Sequence, residues 1–146
     1  MVDFTHGIIR LGNLAINKST RKKDIATLPD WKLQSETEGH THFEYVGNLE
    51  GTELYTLCLC FQGEKLIFID IWPRTEHCTY HNISQYHESI DIRFFAENGS
   101  LMVNEVASWL CAKQGCSYQK YPWGIAMLID DLDRGFRVCV RMNYAQ

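Results

Sequence analysis

The residues whose types could do chemistry lie mainly between Pro73 and Ile90, where Glu76, His77, Cys78, His81 and His87 follow one another, with His40 and His42 further upstream. Imidazole, thiolate and carboxylate are the donors that zinc takes. A zinc site usually shows in sequence as two tight ligand pairs, and no Cys-x-x-Cys pair accompanies this group. The irregular spacing predicts a polar, solvated loop, and neither a metal nor a cofactor is assigned. A cysteine nucleophile needs a base and a cleft. Cys78 or Cys111 with a loop histidine would supply the pair, but with six cysteines and six histidines some such pair arises from composition alone. Asp130, Asp131 and Asp133 present the carboxylate oxygens that calcium or magnesium favours. Gly135 beside them fits a turn better, since aspartate caps backbone amides in turns. Phosphate-cradling glycine loops and serine nucleophile elbows are absent. The separation of any carboxylate pair is set by the fold. No catalytic residue is assigned.

The elements that would position these groups read as an α+β domain, residues 1–146, with a mainly antiparallel sheet and two helices. Ile8, Ile9, Leu11, Leu14 and Ile16, broken by Gly7 and Gly12, predict a short strand pair. Asn17 and Ser19 are placed to cap a helix over Thr20–Leu28, which Pro29 stops. Strands are expected at His42–Gly47, Leu54–Phe61 and Leu66–Trp72, with turns at Asn48–Gly51 and Gln62–Glu64. Tyr55, Leu57, Leu59 and Phe61 would share one face, and Thr56, Cys58 and Cys60 the other. On the returning strand Ile67, Ile69 and Ile71 alternate with Leu66, Phe68 and Asp70. Both faces are largely apolar, so these strands belong near the sheet centre. Pro73–Ile90 reads as a long connection and Ile90–Phe95 as a further strand. Ser100 then caps a helix over Leu101–Gln114, with Glu97 and Glu105 toward its positive end, Lys113 at its negative end and Gly115 after it. Gly124–Asp130 and Phe136–Met142 close the chain as a hairpin whose last strand lies at the outside of the sheet.

Composition narrows the class. A chain of 146 residues, 45% hydrophobic and 22% charged, can bury a core without disulfides or metal. Leu57–Phe61 and Leu66–Ile71 fall far short of the roughly 20 apolar residues that cross a bilayer. Met1–Gly7 carries neither a basic start nor an apolar export signal, so a cytoplasmic location and free thiols are expected. The net charge of −4 is uneven. Residues 1–35 carry six Lys and Arg against three Asp and Glu, residues 36–105 carry three against twelve, and residues 106–146 carry five against three. An acidic middle repels nucleic acid and attracts basic protein surfaces, and it fits equally well a surface that serves solubility alone.

At the C-terminal end Tyr121, Pro122, Trp123, Gly124 and Ile125, then Asp131, Asp133, Arg134, Gly135 and Phe136, then Val138 and Val140, form a recognisable pattern. The Gly-Glu-Lys turn before Leu66–Asp70 belongs with it. This pattern resembles short bacterial immunity proteins, cytoplasmic antidotes encoded beside polymorphic toxins, including those of contact-dependent growth inhibition systems. The resemblance implies a non-enzymatic protein that blocks the active site or substrate-binding surface of a cognate toxin domain. It carries over no contact residues, because Trp123 and Gly135 read as structural. Acidity suits a nuclease toxin, whose basic cleft an antidote would fill while gaining electrostatic steering. The candidate contacts are Glu44, Glu50, Glu53, Glu76, Asp130, Asp131 and Asp133. The alternative is a small cytoplasmic enzyme or ligand-binding domain with the His77–His87 loop as one wall of a pocket.

Overall fold

The computed structural model describes residues 1–77, 92–131 and 137–144. The chain starts with a small antiparallel sheet, β1 (Val2–Asp3), β2 (Ile8–Leu11) and β3 (Leu14–Ile16). The expected strand pair is present, turned at Gly12 with φ +60°. Asn17 and Ser19 do not cap the helix that follows. They close a turn of their own, Ser19 N–H donating to Asn17 Oδ1 at 2.8 Å. Helix α1 is therefore shorter than expected, Lys22–Ala26, and its first turn is held by Asp24 Oδ2 accepting the Arg21 N–H at 2.9 Å.

The main sheet has seven antiparallel strands in the order β4 (Trp31–Thr37), β5 (His40–Tyr45), β6 (Leu54–Gln62), β7 (Lys65–Pro73), β10 (Arg137–Tyr144), β9 (Gly124–Asp131), β8 (Tyr118–Tyr121). An α+β architecture results. Strands β6 and β7 occupy the centre, joined through Gly63 at φ +58°. Two register shifts alter which residues share a face. One, at Leu54/Thr56, sends Tyr55 to the side of Cys58 and Trp72 instead of that of Leu57. The other pairs Phe61 with Leu66 while Cys60 pairs with Phe68, so Leu66 joins Ile69 and Ile71 in the core and Ile67 is displaced. A bulge inserts one residue and exchanges the faces beyond it, which strict alternation misses.

Helix α2 runs Ile92–Gln114. The strand expected at Ile90–Phe95 is overturned from Ile92 onward, and Ser100 lies inside the helix instead of capping it. Gly99, Met102, Val106 and Leu110 are all buried, a continuous stripe at three- and four-residue steps. Burying that stripe on the sheet outweighs the turn preference of Asn98, Gly99 and Ser100. Glu105 consequently sits in mid-helix. Lys113 does fall in the last turn, and Gly115, at φ +89°, ends the helix with its N–H on Cys111 O at 2.7 Å.

The last strand, β10, is not an outer strand but lies between β7 and β9. Its Val138, Val140 and Met142 join Leu57, Leu59, Ile69, Ile71 and the α2 stripe in one core. Trp123, buried as expected, fastens the small sheet: its Nε1–H donates to Phe4 O at 2.7 Å, and Tyr144 OH donates to Gly7 O at 3.0 Å. A Cβ on Gly7 would lie 2.5 Å from the Trp123 ring, so only glycine fits there. Among the described residues no helix is long and apolar enough to cross a membrane.

Candidate functional site

The strand registers bring one end of each central strand together. Leu54 pairs with Pro73, Val140 with Ile71 and Arg137 with Asp131, so the start of β6, the end of β7, the start of β10 and the end of β9 lie side by side. Five of the seven candidate acidic residues are found at this end of the sheet. Glu50 and Glu53 precede β6, Glu76 follows β7, and Asp130 and Asp131 end β9. Glu50, Glu76 and Asp130 are exposed. Glu53 is shared with Lys113 at 2.6 Å, which offsets part of its charge. Glu44 is not part of the group. It sits further in, opposite Cys58, and accepts a hydrogen bond from Gln34 Nε2 at 2.8 Å. Asp133 lies outside the described residues, as do Cys78, His81 and His87.

The same end holds a second cluster that the sequence did not group. Glu105 of α2 meets the chain as it leaves β7: Oε2 accepts from Thr75 Oγ1 at 2.9 Å and from the His77 N–H at 3.0 Å, while Oε1 faces His77 Nδ1 at 2.6 Å. Burial would raise the Glu105 carboxyl, but its hydrogen bonds from His77 and Thr75 outweigh burial and hold it below the usual range. The hydrogen bond to Glu105 raises the His77 imidazole. Ligand atoms of Glu76, His77 and Glu105 lie within 4.8 Å of one another. Beside them a solvent-open cavity of about 450 Å³ is lined by Thr75, Glu76, Asn104, Glu105 and Ser108. His77 was legible as a candidate. Glu105 was not, because its register with the loop is a tertiary fact.

A third constellation lies on the face of the sheet away from the α2 stripe. Asp70, in the middle of β7, is buried and bound by two arginines of β10. Arg141 grips it from Nε to Oδ1 at 2.7 Å and from Nη2 to Oδ2 at 3.0 Å, and Arg137 Nη1 reaches Oδ2 at 3.0 Å. The Arg141 guanidinium also lies 3.8 Å from the centroid of the Phe68 ring. Burial opposes the charge on Arg141, but the hydrogen bonds to Asp70 outweigh it and raise the guanidinium further. Around this cluster burial, reinforced by the Asp70 charge, pushes the Cys60 thiol up to about 11 and raises Cys139 well above its ordinary value. His42, whose Nδ1 is 3.0 Å from Ser35 Oγ, is lowered by burial and then by Arg137. A lone aspartate in an apolar strand is the signal that could have found this cluster, since a buried carboxylate demands cations.

Comparison of the chain with family models, curated proteins and solved structures returns no match. The functional case therefore rests on the chain's own geometry.

Proposed function

We propose that this chain is a binding protein of the immunity type, which neutralises a toxin domain of basic surface by covering its active site or substrate cleft with the acidic end of the large sheet. The observation that carries the reading is the gathering of Glu50, Glu53, Glu76, Asp130 and Asp131 at that end by the strand registers. Glu50, Glu76 and Asp130, exposed on turns and a strand end, present negative charge that would speed encounter with a basic cleft and mimic the phosphates of a nucleic-acid substrate. The test is co-purification from the native host, followed by the variant Glu50→Lys/Glu53→Lys/Glu76→Lys/Asp130→Lys. A stoichiometric basic nuclease domain that the variant no longer retains at physiological salt is the expected result. A partner held equally by the variant would end the electrostatic reading.

A small enzyme or ligand-binding domain is the second reading. The cavity beside His77 and Glu105 is the observation in its favour. A chain that elutes alone with a stoichiometric small molecule would shift the assignment to it.

A further inference from the structure

We infer that Glu76, His77 and Glu105 form a binding site for one divalent transition-metal cation, held by one imidazole nitrogen and two carboxylates and open toward the neighbouring cavity. Three observations carry this. The ligand atoms already converge within 4.8 Å, a span that a single ion bridges with small side-chain adjustments. The two oxygens of Glu105 have separate tasks: Oε2 is engaged by Thr75 Oγ1 and the His77 N–H, which fixes the carboxylate, while Oε1 points at His77 Nδ1. Such outer hydrogen bonds orient ligands at metal sites. Finally, the cavity of about 450 Å³ gives the ion a path in and leaves room for water or a small anion at its remaining positions.

The donor set selects the ion class. An imidazole with two carboxylates suits Zn²⁺, Co²⁺ or Mn²⁺, whereas Mg²⁺ and Ca²⁺ prefer oxygen ligands and Cu⁺ prefers sulfur. His77 Nδ1 and Glu105 Oε1 lie 2.6 Å apart; the cation takes its place between the two atoms, and a proton held there leaves to solvent. The irregular loop spacing concealed the site because its third ligand lies 28 residues beyond His77, on a different element. The site shares Glu76 with the proposed toxin-facing set but needs no partner protein.

Co²⁺ is the probe, titrated into tag-free, chelator-stripped protein and followed by calorimetry and visible absorption. One ion per chain is expected, with a spectrum free of thiolate charge transfer. Affinity should fall about tenfold or more in His77→Ala and Glu76→Gln, and about tenfold in Thr75→Val, which removes the outer hydrogen bond to Glu105 Oε2. Glu76 is exposed, so Glu76→Gln keeps the test valid even where another variant loses its fold. A thiolate band, a titration unchanged by both His77→Ala and Glu76→Gln, or no binding at millimolar Co²⁺ would each overturn the site.

Discussion

The two faces of the central strands are both buried, yet they are built by opposite chemistry. Toward α2, Leu57, Leu59, Ile69, Ile71, Val138, Val140 and Met142 fill the space with hydrocarbon. On the other side the same strands present Cys58, Cys60, Asp70, Trp72, Cys139 and two arginines. The apolar face is stabilised by area removed from water and by close packing, and each side chain contributes on its own. The polar face works as a unit: the Asp70 charge is tolerable only while Arg137 and Arg141 hold it, so no member can be removed alone.

The largest expected effect follows from that interdependence. Arg141→Met leaves a buried carboxylate with one guanidinium and should cost about 4 kcal/mol in denaturant unfolding, within the range for breaking a buried ion pair. The triple variant Asp70→Leu/Arg137→Met/Arg141→Met should recover most of that loss. A triple variant as unstable as the single one would show that the polar face does not act as a unit. Next is the apolar face, where Leu59→Ala opens a cavity and should cost about 3 kcal/mol. Two such truncations at separated positions on this face should add, whereas those within the ionic cluster should not.

Thiol chemistry separates the regions more gently. In a Cys78→Ser background, Cys60 and Cys139 should resist a thiol reagent at neutral pH until the chain unfolds, because a raised thiol supplies little thiolate and burial denies access, and burial alone should shield Cys58. Cys116, on the segment joining α2 to β8, should react in the native state. Equal rates for Cys116 and Cys139 would contradict the buried polar face.

The smallest effect is a pH dependence. Burial and Arg137 hold His42 below its ordinary 6.5, so the unfolded chain takes up this proton before the folded one. The stability associated with neutral His42 is intact above the unfolded value and is lost as pH falls through it toward the folded one. His77, raised by Glu105, contributes with the opposite sign over the same range, so the His42 part is read as a difference: from about pH 7 to 5 the denaturant midpoint of His42→Asn should rise relative to that of the unchanged chain.

Much of this architecture was legible where one face of an element is strongly apolar. The hairpin of β6 and β7, the stripe on α2 and the alternation of Val138, Val140 and Met142 could all be read from spacing. Strands β4 and β8 are hard to read from the sequence because edge strands such as Trp31–Thr37 and Tyr118–Tyr121 carry few apolar residues and owe their conformation to the neighbours they pair with. The helical start of α2 is hidden in the sequence for a related reason, local turn residues being overruled by burial of the stripe. Of the candidate site, the acidic composition was visible but the selection was not. Sequence alone could not separate Glu44, tied to Gln34, from Glu50 and Glu76, which are exposed.

By itself the sequence determined that this chain forms an antiparallel sheet with helices, because residue periodicity dictates which side chains can leave water together. It also determined that the middle of the chain is acidic. Only the tertiary structure decided that the carboxylates gather at one end of the sheet, that Glu105 meets His77, and that Asp70 lies between two arginines 67 and 71 residues away. These are contacts between groups distant in sequence, and their geometry is set by strand register, which a single bulge is enough to change.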